Sequence, residues 1–175
     1  MRELVEEICL ENNAHSLLNS IRLELQDYAV NKQLYTNIKE LLEFYINDIF
    51  TIAVKNVLKK LNKKEKVDNS FIKQFNIEDF VKELEEVFGF EQDNKNELIF
   101  TIIGKLIQFY KMSQIYTFAI LGVKKVEVDM NANTCEICKE RFKNGFEIND
   151  DIDETIFHPF CKTVFKGEKN EKINK

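Results

Sequence analysis

Three cysteines and a histidine fall into two close pairs, Cys135-x2-Cys138 and His158-x2-Cys161, separated by nineteen residues. Each pair can offer two ligands from one turn of chain, and the intervening loop lets the pairs face each other. A tetrahedral zinc ion needs that arrangement. A CxxC turn also suits the metal because its later backbone N–H groups can point at sulfur. On the other side, Pro159 follows His158. Proline is favoured at the first position of a helix, so Cys161 is expected in a first helical turn, where the dipole stabilises a thiolate. Four protein ligands leave no open coordination position, so the spacing predicts a structural Zn²⁺ and no catalytic residue. The competing readings are ordinary buried cysteines beside an unrelated histidine, and a redox-active CxxC.

Three thiolates, a neutral imidazole and Zn²⁺ sum to one negative charge, which Lys139, Arg141 and Lys162 are placed to offset in part. A structural zinc contributes roughly 10–16 kcal/mol to folding near neutral pH. The segment is expected to hold too little apolar material to fold without it. Cys9 and His15 stand apart from the motif and are read as structural.

Two charged clusters compete for a role. Lys55, Lys59, Lys60, Lys63, Lys64 and Lys66 gather near one helix end and its loop, opposed only by Glu65. They suit weak contact with DNA phosphate, or contact with an acidic partner. The blander reading is a set of solvated lysines favoured by the helix dipole, and the missing arginines and interleaved aromatics favour it. The formal net charge of -5 gives no global reason to expect nucleic-acid binding. Glu147, Asp150, Asp151, Asp153 and Glu154 form an acidic loop without the glycine and glutamate placement of a calcium loop.

The elements that must position these groups are mostly helical. One Pro and five Gly in 175 residues argue for long helices and against a loop-rich sandwich or barrel. The apolar positions Leu34, Ile38, Leu41, Leu42, Tyr45, Ile49, Ile52, Ala53 and Val57 step by three and four, which predicts a helix over 34–61. An earlier helix is expected over 14–30, with a shorter one opening the chain. Residues 62–70 read as a loop. Asn76 is an N-cap candidate with Glu78 and Asp79 in the first turn, and the helix should end near Phe88 with Gly89 as a left-handed C-cap. Asn94 or Asn96 opens a long apolar helix to Leu121, closed by Gly122. Its interruptions at Lys105, Gln108, Lys111, Ser113 and Gln114 make it a buried or amphipathic helix and not a membrane span. Residues 123–129 alternate apolar and charged and predict a strand. The first residues, MRELVEEICLE, read as a charged helical stretch and not a secretory leader, so a reducing compartment is expected. The fold class is therefore mainly α: a helical body over 1–121, a small α+β zinc-stapled module over 122–166, and a tail over 167–175 expected to be disordered.

The string "AILGVKKVEVD", then "TCEICKERFKNGFEI", then "HPFCKTVF" resembles the C-terminal module of phage head morphogenesis proteins, the minor head proteins typified by phage SPP1 and by the Mu F-like group. The likeness covers about 105–165. By that resemblance Cys135, Cys138, His158 and Cys161 match the zinc ligands, Gly122 the glycine before the strand and Gly145 the glycine after CxxC. Thr163 stands where family members often carry a further cysteine. The resemblance implies a minor structural protein of a phage or prophage particle that is not an enzyme. Its implied partners are portal or capsid proteins, or copies of itself. Its implied location is the host cytoplasm during assembly and afterwards the virion, in the head or the portal region. The alternatives are a nucleic-acid-binding zinc protein and a zinc-containing nuclease.

Overall fold

The computed structural model describes residues 11–130, 134–148, 157, 160 and 163–168. Five α-helices occur among them: α1 (Asn12–Asp27), α2 (Leu34–Leu61), α3 (Ile77–Phe88), α4 (Lys95–Ile120) and α5 (Glu136–Phe142). Three antiparallel strands, β1 (Lys125–Asp129), β2 (Phe146–Glu147) and β3 (Val164–Glu168), form a sheet in the order β2-β1-β3. The chain is thus a mainly helical body with a small C-terminal sheet. The short helix expected to open the chain lies outside the described residues, as do residues 169–175 of the tail.

α2 and α4 pack broadly on each other, and α1 and α3 lean on that pair. The 34–61 stripe buries Leu34, Ile38, Leu41, Leu42, Ile49, Ala53 and Val57 as its spacing requires. α4 behaves differently. From Leu98 to Phe118 it is buried nearly all round, polar residues included. A helix apolar on every face belongs at the centre of a protein or in a membrane. Here it is the centre, and no helix among the described residues is long and apolar enough to cross a membrane.

The ends of the helices show where local signals hold. Asn76 caps α3 as expected: its side chain accepts the Asp79 N–H at 3.2 Å. Asn76→Ala should therefore lower stability by about 1 kcal/mol in chemical denaturation. Gly89 does end α3, but at φ 55° and ψ -147°. That lies outside the left-handed helical well expected for a C-cap and in backbone space open essentially to glycine alone. The Tyr35 hydroxyl holds the turn by donating to the Gly89 carbonyl at 2.6 Å. Asn94 precedes α4 but does not cap it. Its side chain reaches back and donates to the Phe88 carbonyl at 3.0 Å, closing α3 instead. α1 stops at Asp27, short of Val30, because Lys95 Nζ donates to the carbonyls of both Gln26 and Tyr28 at 2.6 Å. That contact comes from a distant element and leaves no trace in the local pattern.

The predicted 62–70 loop ends in a 3₁₀ turn, Ser70–Gln74. Its Phe71 stacks on Tyr116 with ring centroids 4.8 Å apart, and on Phe109 at 5.8 Å. Gly122 turns the chain out of α4 at φ 76°, and Val123 N–H closes on the Phe118 carbonyl at 3.0 Å. β1 follows with Val126 and Val128 inward. β3 pairs with β1 from Val164 to Glu168, with a break in register between Glu127 and Val128. One hydrophobic core joins the helices to the sheet across the expected boundary at 121–122.

Candidate metal centre

Cys135 is the N-cap of α5. Its backbone is extended, its carbonyl accepts the Lys139 N–H at 2.9 Å, and its Sγ accepts the Cys138 N–H at 3.4 Å. A sulfur thus fills the place that a serine or aspartate oxygen takes in an ordinary cap. Glu136 lies in the first turn of the helix, Lys139 and Arg141 in the last, each at the end its charge suits. Cys138 is buried and Cys135 is exposed.

The next step is aromatic. Phe142 closes α5, and a turn through Gly145 leads to Phe146 on β2. Phe142 stacks on Phe157 with centroids 5.7 Å apart, and Phe146 meets Phe157 at 5.8 Å. Phe165 of β3 joins them, 5.6 Å from Phe157 and 6.1 Å from Phe118 of α4. Phe142, Phe157 and Phe165 are fully buried. Burying an aromatic ring is worth about 1.5–3 kcal/mol. These rings belong to the same hydrophobic core that holds the helices, so the segment is packed onto the body.

α4 supplies the third hold. Gln108 Nε2 donates to the Phe157 carbonyl at 2.5 Å. Lys111 Nζ donates to the Thr163 carbonyl. Phe100 stacks on Phe160, centroids 4.0 Å apart. Phe160 has φ 62°, costly for an aromatic residue by about 1–3 kcal/mol. A residue in that conformation does not continue a right-handed helix. Pro159 and Cys161, and with them the helical turn expected to open at Pro159, lie outside the described residues.

Cys135 and Cys138 are thus placed by α5. His158 and Cys161 lie outside the described residues, but Phe157, Phe160 and Thr163 beside them are anchored on α4 and on the aromatic cluster. Among the described residues no three His, Cys, Asp or Glu side chains converge on one point. The described pair suits zinc on its own chemistry: two sulfurs from one turn, with an N–H donated to one of them. Of the flanking cations, Lys139 is paired with Glu136 at 2.7 Å, Arg141 is exposed, and Lys162 lies outside the described residues. In the acidic loop, Glu147 pairs with Lys125 at 3.1 Å, and the other four carboxylates lie outside the described residues.

The lysine cluster is partly committed elsewhere. Lys60 pairs with Glu11, and Lys63 reaches the Leu121 carbonyl at 3.3 Å and Glu65 at 3.6 Å. Lys55, Lys59, Lys64 and Lys66 are exposed.

Sequence reasoning missed a polar network where α1, α2 and α4 meet. The Glu11 carboxylate accepts from Lys60, from the Tyr110 hydroxyl at 2.6 Å and from Gln114 at 3.0 Å. Asn56 donates to Tyr110 at 2.8 Å and exchanges hydrogen bonds with Asn13 at 3.0 Å. The available signal was Gln114, one of the polar breaks in α4. Burial alone would raise the Glu11 carboxyl, but the Lys60 ammonium and the bonds from Lys60, Tyr110 and Gln114 outweigh it and hold it below its ordinary value. Burial and the Glu11 charge push the Tyr110 phenol upward. A carboxyl lowered on folding adds stability that is complete above its unfolded value and fades as pH falls through its folded value. Glu11→Gln should cost about 2 kcal/mol at neutral pH. It should also flatten the loss of stability between about pH 5 and about pH 3, measured as denaturant midpoints against pH.

The chain matches no protein-family model, and no curated protein or solved structure matches it.

Proposed function

We propose that this chain is a minor structural protein of a phage or prophage particle, docked at the portal or head. In this reading its C-terminal segment is cross-linked by a structural zinc on Cys135, Cys138, His158 and Cys161. The observation that carries the reading is the motif string itself: a long helix, a Gly-Val turn, a strand, CxxC and His-Pro-x-Cys in that order. The geometry is compatible with it. Cys135 caps α5 and accepts the Cys138 N–H, as a ligand pair would. Phe157, directly before His158, lies against the ring that closes α5. Bound there, zinc supplies a cross-link between α5 and the 157–163 segment. The chain's own residues supply the rest: Gln108 and Lys111 hold the Phe157 and Thr163 carbonyls, and the phenylalanines exclude water. With four ligands from the protein, the role is structural and the chain is not an enzyme.

Co-expression with the portal and capsid proteins of the same phage or prophage tests the assignment. The chain should sediment with assembling heads or portals. Consistent absence from both would refute it.

Lys55, Lys59, Lys64 and Lys66, all exposed, favour a second reading as a DNA contact. Binding should then weaken steeply with salt, and no binding at low salt would dispose of it.

A further inference from the structure

Among the described residues, Glu11, Asn12, Asn13, Asn56, Lys59 and Lys60 line an open cleft of about 710 Å³ between the start of α1 and the end of α2. Small-molecule sites usually occupy roughly 300–1,000 Å³. Every residue lining this one is polar or charged. Two of them are held from beneath. Asn56, with 8% of its surface exposed, exchanges hydrogen bonds with Asn13 and donates to Tyr110. The Glu11 carboxylate accepts from Lys60, Tyr110 and Gln114. Tyr110 and Gln114 are buried in α4. Burying such a network costs stability that apolar packing would not. What it supplies is a fixed position for Asn13 and Lys60 at the cleft.

Donors outnumber acceptors there. A lysine has three N–H groups and a side-chain amide two. Lys60 spends one on Glu11, and Asn13 spends one on Asn56. Lys59 is exposed, and no described residue pairs with its ammonium. Two lysines against one carboxylate leave the cleft one positive charge in excess. We infer that this cleft binds a small phosphate-bearing molecule, its phosphate oxygens accepting from Lys59, Lys60 and Asn13. Phosphate oxygens take several donors at once, and charge-assisted bonds of this kind are the strong ones. An extended DNA backbone would call instead on the exposed Lys55, Lys64 and Lys66, none of which lines the cleft. The site uses none of the proposed zinc ligands, so a failure of the zinc reading leaves it untouched.

Titration of the full chain with inorganic phosphate and with glycerol 3-phosphate, at constant ionic strength and followed by amide NMR shifts, tests this. Shifts should saturate and gather at residues 11–13 and 56–60. The ester should bind at least as tightly as phosphate, because the cleft has room for the rest of it. Lys59→Gln, which keeps a donor and loses the charge, and Asn13→Ala should each weaken binding roughly tenfold. Lys55→Gln, one turn earlier on α2 and outside the cleft, should leave it unchanged. Should Asn13→Ala not fold, the exposed Lys59→Gln carries the test. Shifts that do not saturate would overturn the inference, as would rejection of the ester or equal weakening by Lys59→Gln and Lys55→Gln. Duplex DNA that binds where both phosphates do not would also overturn it, in favour of the DNA contact.

Discussion

Cys138→Ser is expected to lower zinc affinity by more than about a hundredfold, beyond the loss that follows when only a supporting contact is removed. The structural consequence should be confined. Cys138 is buried where α5 meets the aromatic cluster, while the packing of α2 on α4 uses none of the proposed ligands. Hydrogen exchange should therefore show lost protection over 134–148 and 163–168, with α2 and α4 unchanged. Chelation of the wild-type chain should give the same pattern. Loss of protection throughout α2 and α4 would mean that the two parts fold as one metal-dependent unit. No loss in either part would mean that the cysteines carry no metal.

Phe157→Ala should cost about 3–5 kcal/mol, the range for emptying a fully buried aromatic site. Phe157 is 0% exposed and meets Phe142, Phe146 and Phe165 at once. Truncating it opens a cavity between α5, β2 and β3 and frees the backbone before His158. Zinc affinity should fall with stability, because the same ring links the two halves of the proposed centre. Phe44→Ala is the control: that ring is 70% exposed, and its loss should stay within about 0.5 kcal/mol. Urea denaturation of both variants checks the contrast. Equal effects would mean that the Phe157 cluster does not hold the segment.

The parts of this fold that were legible are those whose cause is local. α2 spans 34–61 as its three-and-four spacing requires. Asn76 and Gly89 bound α3, and the alternation over 123–129 gives β1. β3 was not legible. Val164–Glu168 carries a lysine and a glycine and shows little strand character alone; it becomes a strand by pairing with β1 across some forty residues of chain. The end of α1 was misjudged because Lys95, far along the chain, satisfies the carbonyls there. The polar breaks in α4 were visible as breaks but not as contacts. Gln108, Lys111 and Gln114 leave the helix readable as buried or amphipathic, and in the fold each reaches a specific partner. In the candidate centre, the Cys138 N–H pointing at the Cys135 sulfur follows from the CxxC itself. The left-handed Phe160, stacked on Phe100, does not.

The central claim is that a metal cross-links the two cysteine-bearing segments. Native mass spectrometry of the wild-type chain, purified without chelator, tests it most directly. The expected spectrum shows one zinc per chain, absent once Cys135 or His158 is replaced. A metal-free wild-type chain with residues 134–148 and 163–168 still protected from exchange would contradict it.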